Sequence, residues 1–176
     1  MRRPVDEPRL RRFMEAFGLA AAGPVRVYFT GGATSVLLGW RVATVDVDLA
    51  MEPDDDQLYR IIPGLKDSLE VNVELLAPTD FIPELPGWRE RSRFIAAEGQ
   101  VAFHHYDFYA QALAKIERGH ALDLVDIALM KARGLVEVGR LSELFEAIAP
   151  QLYRYPALDP ATFRSRVGEF VKSRPA

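Results

Sequence analysis

An α/β (α+β) fold is predicted: a mixed β-sheet with flanking helices over residues 1–106 and a helical lobe over residues 107–176. Three observations predict it. The runs Val25–Thr30, Val45–Leu49, Leu69–Leu76 and Gln100–Tyr106 carry strand-type patterning. Glycine and proline punctuate the helix-compatible stretches between them. After Asp107 the apolar residues recur only at helical spacing. At 176 residues the chain can bury a substantial core, as one domain or as two closely packed lobes.

The elements follow in order. Leu10, Phe13, Met14 and Phe17 form the apolar stripe of an N-terminal amphipathic helix, around which Arg2, Arg3, Arg9, Arg11 and Arg12 cluster. Val25–Thr30 reads as a strand, Gly31-Gly32 as a turn, and Ala33–Leu38 as a short helix. The acidic run Asp54–Asp56 reads as the cap and first turn of the next helix rather than as a metal site. Trp88 follows Pro86-Gly87 and precedes Arg89, Arg91 and Arg93; packing of Trp88 into a core is the simpler reading, stacking on an unpaired base the sharper one. His104 and His105 are adjacent on a strand and face opposite ways, one packed and one wet, so they form no simple zinc pair. Asp107–Arg118 and His120–Arg133 fit helices, with Gly134 as a stop. Arg140–Tyr153 presents Leu141, Leu144, Phe145 and Ile148, and Asp159–Val171 starts at Asp-Pro and presents Phe163, Val167 and Phe170.

The chemistry concentrates between Thr30 and Met51. Side chains two apart on a strand share a face, so Asp46 and Asp48 point the same way, roughly 6.5–7 Å apart along the backbone. Val45, Val47 and Leu49 alternate with them toward a core. Gly31 and Gly32 stand at a helix start, where missing Cβ atoms allow close backbone approach and exposed amides attract anions. A phosphate-receiving turn and a carboxylate doublet are two halves of one site, because Mg²⁺ binds one or two carboxylates plus substrate phosphate oxygens. Glu74 is the expected third acid, with Glu70 and Asn72 as its rivals. Arg41, in the connection to the acidic strand, and Thr44, two residues before Asp46, are further candidates at the rim of the site. Each motif alone is also compatible with an ordinary turn or a solvated strand; the order of the elements is what points to one site.

Gly31-Gly32-x-Thr34-x-x-Leu37-Leu38-Gly39-x-Arg41-x-x-Thr44-x-Asp46-Val47-Asp48-Leu49 is similar to the signature of the DNA polymerase beta-like nucleotidyltransferase superfamily. More narrowly it resembles the branch of AbiEii-type toxins and related tRNA-modifying toxins. A second stretch, Leu113-Ala114-Lys115-Ile116-x-Arg118-Gly119-His120-x-x-Asp123-Leu124-x-Asp126, followed by Met130-x-x-Arg133-Gly134-Leu135-Val136, resembles the same branch. The resemblance implies the nucleotidyltransferase fold, with residues 1–106 as the catalytic core and 107–176 completing a cleft. Gly32 would contact the triphosphate, Asp46 and Asp48 would bind Mg²⁺ or Mn²⁺, and Lys115 with Asp123 would complete the site. Many members have serine where this chain has Gly32, so Thr34 or Ser35 would have to supply the hydroxyl. Taken without the resemblance, Lys115 and Arg118 read more simply as helix-face cations paired with Asp123 and Asp126.

The function this implies is transfer of a nucleotide from an NTP to an acceptor hydroxyl. The resemblance suggests a tRNA 3′ end as acceptor and the toxin role in a toxin–antitoxin pair, with a cognate antitoxin as partner. The alternatives are a protein or small-molecule hydroxyl as acceptor, or an inactive RNA- or protein-binding module of the same fold. The absence of cysteine excludes disulfides and thiolate metal sites, and a formal net charge of −3 argues against broad electrostatic nucleic-acid binding. No long apolar run is present, so no membrane partner and a cytoplasmic location are expected.

Overall fold

The computed structural model describes residues 3–173, so Arg2 of the N-terminal arginine cluster lies outside the described residues. The chain is mixed α/β and divides into two compact units. The first runs through Ala77 and resumes over Ser92–Tyr106; the second comprises Pro78–Arg91 and everything from Asp107.

The first unit is built on a five-stranded mixed sheet in the order β5-β4-β2-β7-β6. In chain order its elements are β1 (Val5–Asp6), α1 (Glu7–Ala20), β2 (Val25–Phe29), α2 (Gly31–Leu37), β3 (Ala43–Thr44), β4 (Asp46–Glu52), α3 (Asp56–Ser68) and β5 (Asn72–Leu75). After the excursion into the second unit, which carries α4 (Trp88–Arg91), come β6 (Arg93–Glu98) and β7 (Val101–His105). β4 runs antiparallel to β2 and parallel to β5, while β2 runs parallel to β7. β1 and β3 form a separate two-stranded ribbon.

Local chemistry explains these elements. Asp6 caps α1 by accepting from Arg9 N at 3.0 Å, and Pro8 sits in its first turn, where no N–H is needed. The stripe Leu10, Phe13, Met14 and Phe17 is buried to 1% exposure or less against Phe29, Phe103 and the inward residues of the sheet. Each such side chain contributes roughly 1.5–3 kcal/mol. Asp55 caps α3 by accepting from Gln57 N, so the acidic run does serve a helix start. Leu58, Ile62 and Leu65 of α3 join the same core.

Two expectations are corrected here. Val45 is not an inward strand residue: β4 begins at Asp46, and Val45 lies in a bend, 69% exposed, whereas Val47 and Leu49 are fully buried. The strand around Glu74 is also shorter than Leu69–Leu76. Leu69 caps α3, and Glu70 has φ +52°, a left-handed conformation incompatible with strand pairing. Glu70 is thereby removed from the rivals for the third acid; its carbonyl accepts from Arg9.

The second unit contains α5 (Phe108–Arg118), α6 (Ala121–Ala132), α7 (Val138–Ile148) and α8 (Pro160–Lys172). Leu141, Leu144, Phe145, Ile148, Phe163, Val167 and Phe170 are all buried in it, with the Phe145 and Phe163 rings meeting edge-to-face at 5.0 Å. Asp159 caps α8 at the Asp-Pro start. Segment 78–91 belongs with these helices rather than with the core expected over 1–106, and named contacts tie it there. Arg91 pairs with Asp107, the N-cap of α5, at 2.6 Å, and Tyr155 Oη donates to Thr79 O at 2.8 Å. Arg118 lies over the Phe81 ring at 5.1 Å. Trp88 is buried with Arg89 over its ring, which leaves no ring face set out for base stacking. Among the described residues no helix is long and apolar enough to cross a membrane.

Candidate active site

Parallel pairing of β4 with β5 sets Asp46 opposite Asn72 and Asp48 opposite Glu74. The alternate residues Val47, Leu49 and Val73 are buried, so the four polar side chains share the other face of the sheet. Asn72 Nδ2 donates to Asp46 Oδ1 at 2.6 Å and to Glu74 Oε1 at 3.3 Å. A polar row thus crosses two strands, with Asn72 bridging two of its carboxylates.

On the other flank of β4 lies β2, whose end delivers Thr30, Gly31 and Gly32. Thr30 N donates to Asp48 O at 3.0 Å, which holds the glycine turn beside the acidic strand. Gly31 adopts φ +55°, where a side chain is strained, and a Cβ there would lie 2.6 Å from Asp48 Oδ2. The Asp48 carboxylate therefore occupies the space that glycine leaves open. At Gly32 the added Cβ would lie 2.0 Å from Thr44 Oγ1 and 2.7 Å from Thr44 Cβ. That contact gives a reason for glycine in place of serine at position 32: Thr44 fills the room a serine side chain needs.

Thr34 and Ser35 do not replace the missing hydroxyl. Both are fully buried; Thr34 Oγ1 donates to Phe29 O at 3.1 Å and Ser35 Oγ to Gly31 O at 3.2 Å. They brace the turn from within because a buried hydroxyl must find a partner. Thr44 donates to Asp46 O at 3.0 Å and positions the start of the acidic strand. Arg41 is half-buried in the link after α2, where its backbone N donates to Ser35 O at 3.3 Å.

His105, 5% exposed at the end of β7, places Nδ1 3.2 Å from Thr34 Oγ1. Burial, reinforced by Arg93, Arg11 and His104, holds its pKa down to about 4, against an ordinary value of 6.5. The folded-state value is the lower one, so between those pH values the unfolded chain takes up the proton more readily. Stability present above pH 6.5 should fall as the pH drops toward 4, by about 3 kcal/mol in total. Melting temperatures measured from pH 7.5 to 4 should show this slope, and His105→Gln should flatten it; an equal slope in both proteins would refute the assignment. His104 is the wetter of the two histidines, in ring contact with Tyr28 and Phe94.

Lys115 and Asp123 lie in the second unit and close on each other. Lys115 Nζ sits 2.9 Å from Asp123 Oδ1 and 2.7 Å from Asp126 Oδ2, with all three residues buried. Arg118 Nη2 adds an ion pair to Asp123 at 3.1 Å. Two cations thus balance two carboxylates inside the helical unit. The ion-paired reading of these residues describes their geometry, except that the cluster is buried rather than solvated. The inward face of α6 therefore carries two acids beside the apolar Ile127 and Met130, while Leu122 and Val125 are 67% and 56% exposed.

Asp46 and Asp48 offer hard oxygen donors on one face beside a turn that tolerates no side chain, and this donor set suits Mg²⁺ or Mn²⁺ shared with phosphate oxygens. Glu74 reaches the same face, but among the described residues no three acidic or histidine side chains are gathered closely enough to hold an ion by themselves. The Asn72 amide stands between Asp46 and Glu74 and donates to both. No family model, curated protein or solved structure matches this chain.

Proposed function

We propose that the chain is a metal-dependent nucleotidyltransferase, moving a nucleoside monophosphate from an NTP to an acceptor hydroxyl with release of pyrophosphate. One observation carries the reading: Asp46 and Asp48 share a strand face, and the Asp48 carboxylate abuts Gly31, where the backbone bends with positive φ. Asp46 and Asp48 would hold the divalent cation, and Gly31, lacking a Cβ, lets the Asp48 carboxylate lie against the turn that would receive the polyphosphate. The bound cation would neutralise charge accumulating on the phosphate oxygens and the leaving pyrophosphate. Thr44, through Asp46 O, and the buried hydroxyls of Thr34 and Ser35 keep turn and strand in place, which is the positioning this chemistry leans on.

The acceptor follows from the resemblance of Gly31–Leu49 and Leu113–Val136 to tRNA-modifying toxins. On that basis it is a tRNA 3′ end, and a cognate antitoxin is the partner. Incubating the purified chain with each α-³²P-labelled NTP, Mg²⁺ or Mn²⁺ and total tRNA should transfer label to tRNA. Label on the protein itself would move the acceptor class. No label with any nucleotide would refute the reaction.

A further inference from the structure

Asn72 shares the first row of the polar face with Asp46, across the parallel pairing of β4 and β5. Its amide donates to Asp46 Oδ1 at 2.6 Å and to Glu74 Oε1 at 3.3 Å. β5 is an edge strand of only four residues, whose outward positions have no packing reason to carry an amide. A carboxylate at position 72 would add a third like charge beside Asp46 and Glu74, and an aliphatic side chain would leave Asp46 without this donor. A neutral donor avoids both.

We infer that Asn72 is a positioning residue: it holds Asp46 Oδ1 by a charge-assisted hydrogen bond, so that the carboxylate is ordered before a cation arrives. The inference rests on the cation site proposed above. Partners of this kind fix the orientation of a metal-binding side chain, and their removal typically weakens metal binding by about 10–100-fold. Glu74, bound through the same amide, is held to the cluster as a neighbour of the cation rather than as its third ligand.

The test is an EPR titration of Mn²⁺ in the presence of the α,β-methylene analogue of each of the four NTPs. It compares the unmodified chain with Asn72→Leu, Asn72→Ala, Asn72→Gln and Asp48→Asn. Asn72→Leu preserves volume without the donor and should weaken Mn²⁺ binding about 10–100-fold, as should Asn72→Ala. Asn72→Gln keeps an amide donor on a longer stem and should recover most of the affinity. A mere space-filling role would leave Mn²⁺ affinity unchanged in Asn72→Leu, and that result overturns the inference while the cation site stands. Should Asn72→Leu fail to fold, as judged by circular dichroism, the contrast between Asn72→Ala and Asn72→Gln decides in the same way. An unmodified chain that binds no Mn²⁺ with any analogue, or an Asp48→Asn variant that binds as well as it, removes the site itself and the inference with it.

Discussion

Asp48→Asn should reduce nucleotide transfer by about 10²- to 10³-fold or more while leaving the chain folded. The substitution keeps the size of the side chain and its place beside Gly31, and it removes only the charge. Asp48 is half-exposed and the asparagine keeps its shape, so the melting temperature should change little. The loss should be in kcat, because charge neutralisation matters most where negative charge accumulates on the phosphates. Asp46→Asn should behave alike, since the two carboxylates share one face. Steady-state kinetics with labelled NTP measures both, and a rate within a few-fold of the unmodified chain would show that this pair of acids does not hold the catalytic cation.

Lys115→Met should destabilise the helical unit by about 3–5 kcal/mol. Met keeps most of the length of the stem but removes the ammonium that Asp123 and Asp126 both contact, leaving two buried carboxylates with Arg118. An uncompensated buried charge costs far more than an exposed pair contributes. Urea denaturation followed by circular dichroism reads the change directly. Replacing all four members together, Lys115→Met and Arg118→Met with Asp123→Leu and Asp126→Leu, should recover much of the lost stability, because no charge is then left uncompensated. A Lys115→Met variant as stable as the unmodified chain but devoid of transfer activity would instead assign Lys115 to the substrate.

The local part of the structure was legible in the sequence because its causes lie within a few residues. The stripe Leu10, Phe13, Met14, Phe17 specifies a buried helix face by spacing alone, and Asp55 and Asp159 announce helix starts because a cap bonds amides two or three residues on. The shared face of Asp46 and Asp48 needs only the alternation of a strand. Val45 departed from that alternation because the chain bends between the β3 ribbon and β4, and a bend has no period. Leu122 and Val125 of α6 face outward while Asp123 and Asp126 turn inward to Lys115, a facing that depends on a residue of another helix.

What the sequence by itself determined, then, is the class of fold, the helices with their caps, and the pair of acids following a glycine turn. Only the tertiary structure decided which groups surround them. It set Asn72 rather than a third carboxylate against Asp46, filled the space beside Gly32 with Thr44, turned the hydroxyls of Thr34 and Ser35 inward, and buried Lys115 between two acids. The physical reason is one of range. Helix period, capping and strand alternation are written into neighbouring residues, whereas strand register and helix facing depend on contacts between distant segments that no local pattern encodes.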